Sequence, residues 1–140
     1  MPTPLELKGP DNLETVRAFF DRVLNSGDID ALPSFVRTDV TVPQSPAGIE
    51  GMRRLLLELS KAFSRPEYKI VDATSDGTKI AVRFAGKATH TGRYLGIPAT
   101  DRVLKVWGVM IFKFEDGAIS ELWSLIDARD ILSQLRYQSF

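Results

Sequence analysis

Three residues of this 140-residue chain have types and positions suited to moving a proton: His90, Glu121 and Asp127. His90 is the single histidine. It closes an alternating run in which Ile80, Val82, Phe84, Ala88 and His90 share one face while Arg83, Lys87 and Thr89 take the other. An imidazole held among apolar neighbours can relay a proton or donate to a carbonyl, and it can equally be a hydrogen-bonded structural residue at a strand end. The two carboxylates are placed by a turn. If Asp116-Gly117 forms a two-residue hairpin loop, Phe114 falls opposite Ile119, Phe112 opposite Glu121, Met110 opposite Trp123 and Val106 opposite Asp127. Glu121 and Asp127 then share a face with Met110, Phe112 and Trp123, where desolvation raises a carboxylate pKa toward values useful for general acid/base work. Glu121 has a simpler role at the rim of such a face, and Asp127 has one as N-cap of the segment "ARDIL". A bulge would reverse this parity, and Gly86 and Gly108 are the places expected to take one.

The elements that must position these residues follow from periodicity. Val16, Phe19, Phe20, Val23 and Leu24 fall at helical spacing between Pro10-Asp11 and Gly27. "DIDALPSFV" reads as a shorter helix, "DVTVPQSP" as an extended piece, and "GIEGMRRLLLELSKAF" as a third helix that Pro66 forbids from continuing. After Pro66 the period changes to two. "YKIVDA" and "KIAVRFAGKATH" flank a turn at Asp76-Gly77, "RVLKVWGVMIFKF" and "AISELWSLI" flank the one at Asp116-Gly117, and "DARDILSQL" trails as a short helix. The expectation is an α+β domain of three N-terminal helices packed on a four-stranded antiparallel meander. Its strands are apolar on both faces, as in "VWGVMIF", so the second face is expected to be covered by a second copy of the chain. The stripe Phe19, Phe20, Phe35, Met52 and Phe63 belongs to the core, and part of it could line a pocket.

Composition excludes several classes. Eighteen basic and eighteen acidic residues balance to zero net charge. With no run of like charges, nothing marks a nucleic-acid or anionic-membrane partner. The chain has no cysteine, which removes disulfides, thiolate catalysis and cysteine metal sites. Its glycines form neither a P-loop nor a dinucleotide fingerprint, and one histidine cannot build a zinc-protease motif. The N-terminus lacks the charged and apolar regions of a secretory leader, and no apolar run approaches ~18 residues. These readings predict one soluble, cytoplasmic domain over residues 1–140, with residues 1–10 as a flexible lead.

The run "THTGRYLGIPATDR", followed by "FKFEDGAISELWSLID" and "LSQLR", resembles the SnoaL-like polyketide cyclases, or ester cyclases, of the nuclear transport factor 2-like superfamily. "VRAFFDRVLNSGDIDAL" and "GIEGMRRLL" occur in that family's order as well. The resemblance implies a cone-shaped barrel in which helices and a strongly curved sheet enclose a deep apolar pocket, usually in a homodimer packed through the sheet. It also implies intramolecular ring closure of a polyketide-type intermediate without metal or organic cofactor. Asp127, then Glu121, match the family acid, and His90 matches its "H-x-G" element; Trp123, Met110, Phe112, Phe19, Phe35 and Tyr94 are the expected pocket wall. Relatives of this architecture also include epoxide hydrolases, isomerases and cyclases of other natural products. Template-type pericyclases and non-enzymatic binding or dimerisation modules are further alternatives. The chain departs from the family pattern at "TVPQSP", which lacks a histidine beside the proline, and at Asp101, Ser124 and Arg136.

Overall fold

The computed structural model describes residues 12–43 and 48–136. Residues 1–10, the expected helix start at Pro10-Asp11 and the end of "TVPQSP" lie outside the described residues. The first apolar stripe forms α1 (Asn12–Phe19), which buries Val16 and Phe19. It widens directly into a π-helical turn over Phe20–Asn25 that buries Phe20 and Val23. Such turns are rare and concentrate at functional sites. Gly27, at φ +71°, ends the segment as expected of a residue past a helix C-terminus.

Two expectations need correction. The second helix is one 3-10 stretch, Ile29–Ser34, with Pro33 inside it; a proline ring there opposes a full α-helical turn. The extended piece begins earlier than expected, at Val36, and is a true strand, β1 (Val36–Thr41). It runs parallel to the last strand, so the sheet has five strands rather than four. Only Val36 and Val40 of β1 are buried, which is why its pattern reads weakly in the sequence. The third helix, α2 (Gly48–Ala62), forms as expected and buries Met52.

The remaining strands are β2 (Phe63–Ser75), β3 (Lys79–His90), β4 (Val103–Glu115) and β5 (Ala118–Ile126), in the order β1-β5-β4-β3-β2. A last helix, α3 (Ala128–Arg136), follows. β2 starts five residues before its expected onset at Tyr68 and runs through Pro66. The proline is tolerated because β2 is an edge strand and its register shifts between Ser64 and Glu67, where Arg65 has φ +53°. The β2–β3 turn lies one residue later than expected. Ser75 pairs with Ile80, and the Asp76 carboxylate accepts the backbone N–H groups of Thr78 and Lys79 at 3.0 and 2.8 Å. Those bonds hold the Asp76 carboxyl below its ordinary pKa.

Gly86 and Gly108 carry no bulge: β3 and β4 pair without interruption from Lys79–Lys113 to Thr89–Val103. The parity of β3 is as expected, with Ile80, Val82, Phe84, Ala88 and His90 all buried. The irregularity falls on β5. Phe114 pairs with Ile119 as expected, but Ser120 is an extra residue, so Lys113 pairs with Glu121, Phe112 with Leu122 and Met110 with Ser124. Beyond this bulge every β5 side chain changes face relative to the expectation. The main core lies under the inner face, where Phe19 meets Phe35 and Phe112 edge-on at 6.0 and 5.8 Å.

Candidate functional site

A cavity of about 250 Å³ opens at one end of the sheet. It lies where two apolar clusters fail to close on each other. One is the main core; the other is a small cluster of Leu104, Ile131 and Leu135 with Phe63, Tyr94, Ile97 and Val106 around it. The π-helical turn supplies Val23, Leu24 and Asn25 to the wall, α2 supplies Leu56 and Leu59, β2 supplies Phe63 and Tyr68, and α3 supplies Ile131. Tyr94 comes from the connection between β3 and β4, where it pairs with Ile97 around a tight turn. Leu95 and Gly96 form that turn at φ 50° and 78°, the positive pair that a type I′ turn requires.

The polar groups of this wall are mostly occupied. Asn25 grips the backbone of Tyr68 from both ends of its amide, with Nδ2 donating to the Tyr68 carbonyl at 3.0 Å and Oδ1 accepting its N–H at 2.6 Å. Ser60 donates to Leu57 at 2.7 Å. Lys87 pairs with Glu67 at 3.2 Å, both side chains being more than half exposed. The Tyr68 ring lies flat on Gly86: a Cβ there would sit 2.6 Å from Tyr68 Cδ1, so the glycine makes the seat for the ring. Burial pushes both phenols above their ordinary pKa, and the proximity of Tyr94 adds to the rise at Tyr68.

The candidate acid/base residues are not brought together. Glu121 lies past the Ser120 bulge on the outer face, paired across strands with Lys113. The Asp127 side chain caps α3, its Oδ1 accepting the N–H groups of Arg129 and Asp130 at 3.0 and 3.2 Å. It borders a separate recess of about 130 Å³ that shares Val106, Ile126 and Ile131 with the cavity. Asp127→Ala is expected to lower stability by about 1 kcal/mol, and Asp127→Asn, an equally good cap, by close to nothing; chemical denaturation of both variants measures the difference.

His90 is fully buried but does not line the cavity. Phe63, which does line it, has its ring centroid 5.6 Å from the imidazole. Nδ1 accepts the Thr100 backbone N–H at 3.2 Å and lies 2.9 Å from the Thr100 hydroxyl. Of the expected pocket wall, only Tyr94 lines the cavity. Phe19, Phe35, Met110 and Phe112 are closed core residues. Trp123 stands on the outer face opposite Ile111. Tyr68 is absent from the wall expected from the sequence; its signal there is Gly86, which reads as a bulge site and is instead the cross-strand seat of the aromatic ring.

Among the described residues no cluster of three His, Asp or Glu side chains is placed to hold a metal. None of the described helices is long and apolar enough to cross a membrane.

The family model for SnoaL-like polyketide cyclases matches residues 14–135. A SnoaL-like polyketide cyclase from Agrobacterium tumefaciens C58 superposes with a TM-score of 0.79 at 25% identity, over 90% of this chain and 98% of its own. TsrD from Streptomyces laurentii does so with a TM-score of 0.82 at 26% identity, over 89% and 95%. A structure from Jannaschia sp. CCS1 reaches 0.86 over 99% of both chains, and at 22% identity that likeness speaks for the fold. No curated protein sequence matches the chain.

Proposed function

The chain belongs to the SnoaL-like polyketide cyclase family, and on that premise we propose that it is an enzyme closing or isomerising a ring in a small apolar, polyketide-type intermediate held in the cavity. The observation that carries the reading is the cavity itself: an apolar wall with a few fixed polar groups, formed where two clusters stay apart. In such a site the main contribution is positioning. Folding a flexible chain so that its carbon nucleophile faces its own carbonyl converts a rare encounter into a near-attack conformer, which can be worth about 7 kcal/mol or more of the barrier. The placement of Asp127 in a helix cap and Glu121 on the outer face favours positioning over carboxylate catalysis.

The size narrows the substrate. A cavity of ~150 Å³ takes one benzene ring, and drug-sized ligands occupy roughly 300–1,000 Å³, so about 250 Å³ suits a mono- or bicyclic compound. Incubation with linear aryl poly-β-ketones of that length, followed by mass spectrometry, is expected to give a protein-dependent cyclised product. Its mass should equal that of the substrate, or be lighter by one water. Leu56→Trp, which fills the cavity, is expected to reduce its formation at least tenfold. Equal product from the wild type and from heat-inactivated protein would refute the reading.

We also propose that the active form is a homodimer joined through the outer face of the sheet. Trp107, Val109, Trp123 and Leu125 stand exposed together on β4 and β5, with Val109 opposite Leu125 and Ile111 opposite Trp123. The ion pairs Arg83–Asp72 and Lys87–Glu67 lie at one side of this patch. An apolar centre with a charged rim is the usual anatomy of an interface, and a chain of zero formal net charge meets no net repulsion from its own copy.

A further inference from the structure

We infer that Tyr68 and Tyr94 form a paired hydrogen-bond donor for a carbonyl oxygen of the ligand, making the ligand class a small, neutral aryl ketone rather than a hydrocarbon or an anion. This rests on the cavity reading above and adds to it the groups that choose the substrate.

Both tyrosines line the cavity, and neither hydroxyl has a hydrogen-bond partner among the described residues. Of the other polar side chains at the wall, Asn25 is engaged with the Tyr68 backbone, Ser60 with Leu57 and Lys87 with Glu67, while Ser26 is solvent-exposed. Phenol groups left open in an apolar space are therefore the donors a ligand would meet. Their rings are fixed before any ligand arrives. Tyr68 is gripped at its backbone by Asn25 and seated on Gly86. Tyr94 packs edge-on against Phe63 at 4.9 Å and is set by the Tyr94–Ile97 turn. Donors that lose no freedom on binding give more affinity per hydrogen bond than flexible ones. Both phenols border the same cavity, and burial holds their pKa above the ordinary value, so both stay protonated, and so donating, throughout the neutral range. Among the described residues that line the cavity the one cation is Lys87, and it is paired with Glu67, so the wall offers an anion no uncommitted counter-charge.

The test uses two bicyclic probes of nearly the same shape, 1-tetralone and the hydrocarbon tetralin, titrated into the full chain by calorimetry. The wild type is expected to bind the ketone about tenfold more tightly than the hydrocarbon. Tyr68→Phe and Tyr94→Phe should each remove part of that preference and the double variant all of it, with tetralin affinity unchanged throughout. The infrared carbonyl stretch of bound 1-tetralone should lie at lower frequency in the wild type and return toward its value in an apolar solvent in the double variant. A merely structural role for the tyrosines would not produce that shift. If the wild type binds both probes equally, or if the double variant keeps both the preference and the shift, the phenol inference is wrong while the cavity stands. If it binds neither probe, the cavity reading fails and the inference with it.

Discussion

His90→Ala is expected to lower the unfolding free energy by about 3 kcal/mol, from a buried-side-chain cavity plus unpaired polar groups, whereas His90→Asn should lose much less. The difference follows from which nitrogen does the work. A backbone N–H can only donate, so the contact from Thr100 fixes Nδ1 as an acceptor and puts the ring proton on Nε2. Thr100 in turn takes a backbone bond from Arg102 on its hydroxyl at 3.3 Å. The backbone of His90 bonds Arg102 and Asp101 at 2.8 Å each. One imidazole thus ties both ends of the connection that carries Tyr94. Asparagine can present its Oδ1 close to where Nδ1 sits, keeping the Thr100 contact while deleting Nε2. Nε2 itself is buried without a partner among the described residues, and an unsatisfied donor costs about 1–3 kcal/mol. Removing it therefore offsets part of the packing lost. Urea denaturation of the two variants checks the ordering, and an Asn variant as unstable as the Ala variant would mean that ring packing, not the Nδ1 anchor, holds the connection.

The alternation through Ile80, Val82 and Phe84 correctly put His90 inside, because β3 pairs with β4 without a single irregularity. The same method misplaced Glu121 and Trp123, because it assumed that β5 was equally regular. The bulge sits at Ser120, whose hydroxyl donates to the Lys113 carbonyl at 3.2 Å. A serine in an ordinary strand sequence carries no signal of this, whereas glycines do, and both glycines expected to hold a bulge proved instead to make room. At Gly108 an added Cβ would collide with the Leu125 carbonyl. The four antiparallel strands with helices on them were legible in outline from period alone, but the parallel edge strand β1 was not, since only Val36 and Val40 of it are buried and Thr38 between them is exposed. The cavity itself was legible only as a family property. It depends on two clusters failing to meet, which is a three-dimensional fact with no periodicity.

Trp107→Glu is expected to turn the proposed dimer into a monomer, weakening self-association on the order of a hundredfold. Trp107 is 69% exposed in the isolated chain, more than any other large apolar residue of the central strands, and it faces Ala85 across β3–β4. A small neighbour beside a large exposed ring leaves the indole standing above the sheet, the geometry of an anchor that inserts into a partner. A carboxylate there would be buried without a counter-charge, and desolvation alone then opposes association. The inner core would be untouched, since the substitution lies on the face opposite Phe84 and Phe112, so unfolding of the monomer should keep its cooperativity. Glu67→Gln, at the rim, is the control: it removes one half of an exposed ion pair with Lys87 and should change association less than threefold. Sedimentation equilibrium over a concentration series distinguishes the outcomes. A wild type that sediments as a monomer at every concentration would remove the dimer and leave the exposed tryptophans in need of another partner.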